Sequence, residues 1–329
     1  MNNSGTLKPF ATPTVNLRRL FESSEVEVYA KLDLLQLAGS TKERTAHGLI
    51  EELLRTGALQ VGGMIIESTS GNLGIALARQ CVVRGITFVA VVDENANPLA
   101  LQLMEVYGAT VDRVLNPADG NKLAARRRRV EDLLAKHAGS VTTNQYGSLA
   151  NPRAHFESTM PEIMAACEGK LDYLFVATST TGTLLGCQQY IRAHGLDTKV
   201  VAVDSVGSVL FGGQAGTRRL PGLGAGVLPE LSASAKPDIV CQIEEIAMVR
   251  GCRFLARREG ILAGASTGAI VAAMRSLIPS LETGTRVAFI VHDTGVPYLQ
   301  TVYNDEWVRR TFQAEPTTDE AYFDDFSEN

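Results

Sequence analysis

The chain is short of the features that betray many functions at once. Its five cysteines, Cys81, Cys167, Cys187, Cys241 and Cys252, are odd in number, scattered and never spaced Cys-x-x-Cys. That excludes a disulfide framework and leaves buried, inert thiols in a reducing cytoplasm as the simplest reading. Charge of neither sign dominates: the formal net charge is −5, so no global basic field recruits nucleic acid or anionic lipid. No apolar run reaches the roughly 20 residues needed to span a bilayer, and the polar N-terminal residues carry no signal-like apolar region. The expectation is a soluble, cytoplasmic protein. Five scattered histidines include no pair at metal-ligand spacing, so core or surface roles fit them best. There is no Gly-x-x-x-x-Gly-Lys-Ser/Thr loop, Gly222-Leu223-Gly224-Ala225-Gly226 is not a dinucleotide fingerprint, and no repeat or heptad is present.

What remains is an ordinary enzyme composition: 329 residues, 45% hydrophobic and 20% charged, enough for two domains or one large α/β unit. Ala46, Leu49, Ile50, Leu53 and Leu54 recur at helical spacing and predict one apolar helix face. Ser40-x-x-Glu43 reads as a capping box before it. Met64–Ile66, Thr87–Val92, Leu171–Ala177, Val200–Val203, Ile239–Ile243 and Val287–Val291 read as strands. Leu73–Val83 and Asn97–Tyr107 read as helices. Nearly continuous apolar strands separated by helices imply parallel βαβ units covered on both faces. The acidic stretch Glu315–Asn329 is expected to be a loosely held, disordered tail.

Chemistry gathers in the strand-to-helix loops. Gly39-Ser40-Thr41-Lys42-Glu43-Arg44 places a lysine in a first helical turn, where the macrodipole already supplies positive charge. That placement lowers the cost of the uncharged amine that Schiff-base chemistry needs. Ser68-Thr69-Ser70-Gly71 follows a strand and opens the next helix, a cradle for a carboxylate or phosphate. Ser179-Thr180-Thr181-Gly182-Thr183 repeats the arrangement with four hydroxyls, and a third loop, Ala263-Gly264-Ala265-Ser266-Thr267-Gly268, again precedes an apolar helical segment. Taken singly, each loop is also what a well-capped polar turn looks like. Together with Lys42 they point to a phosphorylated cofactor that forms an imine.

These residues carry a resemblance that extends over roughly residues 10–310. The chain resembles the fold-type II pyridoxal-phosphate enzymes of the cysteine synthase group (tryptophan synthase β-like), through Ile66-Glu67-Ser68-Thr69-Ser70-Gly71-Asn72-Leu73-Gly74, Ser179–Gly182 and Leu220-Pro221-Gly222-Leu223-Gly224-Ala225. The same segments, with Leu73 where cysteine synthases usually carry threonine, together with Asn144-Gln145-Tyr146 and Val203-Asp204-Ser205-Val206-Gly207-Ser208-Val209, are similar to a narrower branch. That branch builds N-(2-amino-2-carboxyethyl)-L-glutamate, a diaminopropionate precursor for siderophores, from O-phospho-L-serine and L-glutamate.

The resemblance implies an α/β homodimer of two-domain chains, each domain a mostly parallel sheet flanked by helices. The smaller, mobile domain spans 38–145, and the larger, cofactor-binding one spans 1–37 plus 146–314. It implies pyridoxal 5′-phosphate carried on Lys42, with Asn72 at the 3′-oxygen, and Ser179, Thr180, Thr181, Gly182 and Thr183 at the phosphate. Ser266 would face the pyridine nitrogen. A serine there, not an acid, makes a weaker electron sink, which suits β-elimination. Thr69, Ser70 and Gln145 match positions that grip the amino-acid carboxylate, and Arg126 and Tyr146 match positions tied to the second substrate or to a citrate-type inhibitor. The periodicity of Leu123, Val130 and Leu133 turns both Arg126 and Arg127 inward; only the resemblance selects Arg126. Val296 and Pro297 depart from the charged residues that relatives tend to carry after Gly295. Two alternatives share the cofactor residues: a cysteine synthase using sulfide, and a catalytically quiet homologue that binds or senses.

Overall fold

The computed structural model describes residues 8–22, 24–115 and 122–316. The expected tail from Glu315 therefore lies almost wholly outside the described residues. In chain order the elements begin with β1 (Thr14–Leu17), β2 (Glu27–Lys31), α1 (Lys42–Arg55), β3 (Met64–Ser68) and α2 (Asn72–Val82). Next come β4 (Thr87–Asp93), α3 (Pro98–Val106), β5 (Thr110–Val114), α4 (Lys122–Lys136), α5 (Ala150–Ala154) and α6 (Met160–Ala166). The last are β6 (Tyr173–Ala177), α7 (Gly182–Ala193), β7 (Lys199–Ser205), β8 (Ile239–Ile243), α8 (Glu245–Glu259), α9 (Ala265–Leu277), β9 (Arg286–Ile290) and α10 (Asp305–Phe312). The chain divides into two compact units: Gln36–Ala154 with the residues up to Phe10, and Ala11–Leu35 with everything from His155.

The first unit holds the parallel sheet β3-β4-β5. Alternation along its strands feeds two cores. Ile65, Ala90 and Val92 pack with Ala46, Leu49, Ile50, Leu77 and Met104 of α1, α2 and α3. Ile66 and Val91 face the other way, onto Val130 and Leu133 of α4. The second unit holds a six-stranded sheet in the order β1-β2-β9-β6-β7-β8, parallel except for the β1–β2 pair. Phe175, Val201, Val203 and Phe289 join one core with α8 and α9, while Leu174, Val176, Ala202 and Ile290 join a second with α6 and α7. Both sheets are covered on two faces, as their continuous apolar strands require.

The helix starts are held by polar clamps, and one of them corrects the sequence reading. The Ser40-x-x-Glu43 capping box does not form. Thr41 is the N-cap residue without a side-chain bond, and the Ser40 hydroxyl has no hydrogen-bond partner. The Glu43 carboxylate is taken instead by Arg79 of α2, whose Nε lies 3.0 Å from both oxygens, with Gln80 also donating. Both ends of that ion pair are buried. Since Glu43 follows Lys42 and Arg79 lies within the helix that Asn72 opens, the pair registers one helix start against the other. The cluster continues outward: Arg84 reaches Glu51 at 2.7 Å and the His47 Nδ1 at 2.9 Å. Burial, and then the Arg84 guanidinium, hold the His47 imidazole below its ordinary range.

Helices α8 and α9 cross where Gly251 meets Gly268. A Cβ on Gly251 would fall inside van der Waals contact of the Gly268 carbonyl, and one on Gly268 inside that of the Met248 carbonyl. Gly251→Ala is therefore expected to cost roughly 1–3 kcal/mol, read as a lower urea midpoint at unchanged slope. A second expectation concerns acid. Because the folded state refuses a proton that the unfolded chain accepts, the stability tied to neutral His47 is complete above the ordinary value of 6.5 and lost as pH falls below it. His47→Gln should flatten that part of the stability–pH curve; an unchanged acid limb would show that His47 does not contribute.

Candidate active site

In the first unit the residues singled out from the sequence occupy helix starts and the loops beside them. Lys42 is the first residue of α1 and half-buried. Ser40 and Thr41, just before it, carry buried hydroxyls with no partner of their own. Asn72 is the first residue of α2, with Gly71 as its N-cap residue, so the loop 68–71 lies at a helix mouth. The Thr69 side chain is buried and Ser70 half-buried, while the buried Ser68 hydroxyl has no partner. Each of these helix mouths thus carries an unpaired buried hydroxyl beside first-turn N–H groups, which is what an anionic or polar ligand would complete.

Glu67 fixes this loop against the one carrying Gln145 and Tyr146. Its Oε2 accepts from the Thr142 hydroxyl at 2.9 Å, the Thr143 N–H at 2.9 Å, the Thr143 hydroxyl at 2.5 Å and the Asn144 N–H at 3.2 Å. Burial pushes the Glu67 carboxyl up, and the four donors oppose that shift. Asn144, turned to a φ of +48°, reverses the chain. Gln145 follows as a buried residue, and its carbonyl accepts from Asn151 Nδ2 at 2.8 Å. Sequence reasoning gave Glu67 no role of its own; its carboxylate at the very end of a buried strand was the available signal.

The arginine run resolves by exposure. Arg127 and Arg128 are exposed, whereas Arg126 is half-buried. Its Nε lies 3.3 Å from Asp93 Oδ2, and its guanidinium donates to the Ser70 hydroxyl at 3.5 Å. Arg129 turns away to a paired contact with Asp112, at 2.9 and 2.6 Å. A cation therefore stands at the rim of the 68–71 loop, partly neutralised by one carboxylate.

In the second unit, β6 leads into Ser179–Thr183, and α7 begins at Gly182. Thr181 is the N-cap residue in the left-handed region, at φ +64°, a conformation that costs a β-branched side chain about 1–3 kcal/mol. The Ser179 hydroxyl donates to the Gly224 carbonyl at 3.0 Å, and the Thr181 hydroxyl to the Thr180 carbonyl at 2.7 Å. Gly182 N–H reaches the Thr180 hydroxyl at 3.4 Å, and the Thr183 hydroxyl meets His155 Nε2 at 3.2 Å. The Gly224 N–H bonds back to the Thr178 carbonyl at 2.7 Å, so the glycine-rich segment is stitched to this loop.

Ser266 is the second residue of α9, buried, one place before Thr267, whose hydroxyl accepts from the His292 N–H at 3.2 Å. His292 Nε2 in turn accepts the Ala177 N–H at 3.2 Å, joining the end of β6 to the start of α9. Val296 and Pro297, where the chain departs from the charged pattern, form a 3-10 turn with Tyr298, whose hydroxyl donates to Asp293 at 2.7 Å. Among the described residues, no group of three or more histidine, cysteine or acidic side chains could hold a metal ion. No described helix is long and apolar enough to cross a membrane.

The chain is similar to several known proteins. The profile of a family described as pyridoxal-phosphate dependent enzyme matches residues 6–293. The N-(2-amino-2-carboxyethyl)-L-glutamate synthase of Ralstonia nicotianae is 43% identical over 300 residues, covering 91% of this chain and 89% of its own. The protein of the same name from Cupriavidus metallidurans is 40% identical over 303 residues, with the same coverage of 91% and 89%. Among solved structures, an O-ureido-L-serine synthase superposes with a TM-score of 0.84 at 31% identity, covering 98% of this chain and 99% of that one. An O-acetylserine dependent cystathionine beta-synthase from Helicobacter pylori gives 0.83 at 27%, over 90% of this chain and 96% of that one. The chain belongs to the pyridoxal-phosphate dependent enzyme family.

Proposed function

We propose that the protein replaces the phosphate of O-phospho-L-serine with the amino group of L-glutamate, giving N-(2-amino-2-carboxyethyl)-L-glutamate and inorganic phosphate. The two relatives named for that product support the reading. The observation on this chain that carries it is Arg126, a half-buried cation beside Ser70. Sulfide, the acceptor of a cysteine synthase, has no carboxylate to meet it; glutamate has two.

The residues present fit pyridoxal 5′-phosphate. The first turn of α7 offers N–H groups and threonine hydroxyls to a phosphate monoester, and the buried unpaired hydroxyls of Ser40 and Thr41 flank Lys42. Lys42 and Asn72 would hold the aldehyde end and 3′-oxygen, Ser179–Thr183 the phosphate, and Ser266 the ring nitrogen. When bound, the cofactor supplies an electron sink that acidifies the Cα proton of the donor.

The protein's own groups do the remainder. Thr69, Ser70 and Gln145 bind the donor carboxylate at the mouth of α2. Lys42 Nζ takes the Cα proton, the Cβ–O bond breaks, and phosphate leaves with the bonding pair. The glutamate nitrogen forms the new bond to Cβ and loses a proton, with Arg126 and Tyr146 orienting a glutamate carboxylate. Lys42 returns a proton to Cα. In this reading the chain works as a cytoplasmic homodimer, and the smaller domain, 38–145, moves as the donor binds and keeps water from the reacting carbons.

Lys42→Ala should abolish both turnover and the covalent visible absorbance of the cofactor-loaded protein; retained activity would overturn the assignment. Arg126→Ala should raise the KM for glutamate by roughly 10–100-fold, the loss of one charge-assisted contact. Single-turnover phosphate release from O-phosphoserine should stay at the parent rate. If phosphate release falls equally, Arg126 does not serve the acceptor. Parallel reactions with sulfide, with products read by mass spectrometry, separate this enzyme from a cysteine synthase.

A further inference from the structure

We propose that His155 is a positioning residue of the phosphate site, aiming the Thr183 hydroxyl proton at the cofactor phosphate. The inference rests on the reading of Thr183 as a phosphate ligand and adds to it a residue that does not itself touch the cofactor.

His155 opens a π-helical turn, His155–Thr159, that leads into α6. Such turns recur at functional sites. The imidazole is fully buried, with a hydroxyl at each end: Thr159 Oγ1 lies 2.9 Å from Nδ1 and Thr183 Oγ1 lies 3.2 Å from Nε2. Thr159 is itself fully buried and Thr183 only 5% exposed, so bulk water cannot stand in for either partner.

The loop's own hydrogen bonds make the direction of this row matter. The Ser179 and Thr181 hydroxyls face the carbonyls of Gly224 and Thr180, and a carbonyl only accepts. Those two protons are thus committed within the protein. The Thr183 hydroxyl faces a ring nitrogen, which donates in one tautomer and accepts in the other. If Nε2 accepts, the Thr183 proton is consumed and only lone pairs face a phosphate carrying nearly two negative charges. If Nε2 carries the proton, it donates to Thr183, and the Thr183 O–H is released toward the phosphate. Thr159 sets the second arrangement by donating its hydroxyl proton to Nδ1. The row then runs Thr159 to His155 to Thr183 to phosphate, every donor meeting an acceptor. Protonating the ring does not reverse it, because an imidazolium still donates from Nε2.

The test uses the full-length protein stripped of cofactor, titrated with pyridoxal 5′-phosphate by fluorescence, with the ³¹P resonance of the bound phosphate as a second readout. His155→Leu is expected to weaken cofactor binding roughly tenfold, the scale of one hydrogen bond to a charged group, and to shift the ³¹P signal. His155→Gln should restore both, since its Nε2 can donate from the place of the ring Nε2. His155→Asn should not, since its amide reaches only as far as Nδ1. In a Thr183→Val background, His155→Leu should change nothing further. Equal weakening by the Gln and Leu variants, or additive losses in the Thr183→Val background, would overturn the proposal and make His155 a packing residue. Should Thr183→Val alone bind the cofactor like the parent, the phosphate reading of Thr183 fails, and the His155 inference with it. If the Leu variant does not fold, the Gln and Asn pair still decides.

Discussion

The starts of four helices, whose first N–H groups have no acceptor within the helix itself, are the constraint on which the remaining features depend. Lys42, Asn72, Gly182 with Thr183, and Ser266 lie within the first two residues of α1, α2, α7 and α9. Three of those helices carry loops of serine, threonine and glycine at their mouths. Within each unit a parallel strand hands the chain to a helix start at its C-terminal end, as β3 does to α2 and β6 to α7, so ligand-binding loops collect there. The polar clamps serve this arrangement. Glu43–Arg79 registers α1 to α2, Glu67 holds the 142–146 segment to the end of β3, and His292 ties β6 to α9.

How such an edge discriminates among amino acids is a matter of where charge is left over. Glu67 is surrounded by donors, and Arg129 is fully matched by Asp112. Arg126 is only partly matched, with a single 3.3 Å approach to Asp93 and a long contact to Ser70. An incoming carboxylate gains most where the guanidinium is least satisfied, since a planar fork presents several donors and Asp93 meets one of them at that distance.

The sequence made the buried strands and the anion loops readable because their signals are local. Continuous apolar runs gave β3, β4, β6, β7, β8 and β9 within a few residues. Strands β1, β2 and β5 went unread: TVNL, EVYAK and TVDRV mix polar and charged residues, since β1 and β5 are edge strands that partly face solvent, while β2 lies inside its sheet and buries Lys31 among its apolar residues. Ser40 and Glu43 matched a capping pattern, but no local pattern reveals that Arg79, 36 residues away, outcompetes the backbone for that carboxylate. His155 looked like one more core histidine. Its partner Thr183 lies 28 residues on, and only the fold brings the two together. Arg126 and Arg127 were equivalent by spacing; burial separates them, since Arg126 follows the buried Ala125 and reaches Asp93 and Ser70 while Arg127 is exposed.

The connectivity of the second unit sets an order on its own making. Strand β2 pairs with β9 in register from Glu27 against Arg286, so an early strand waits for a partner about 260 residues downstream. The first unit is drawn almost wholly from the continuous run Gln36–Ala154 and has all its strands long before that. On the ribosome, the half bearing Lys42 can therefore condense while the half bearing Ser266 still lacks the centre of its sheet. Until β9 emerges, β2 is an open edge, and the nascent chain's exposure to mispairing is longest there.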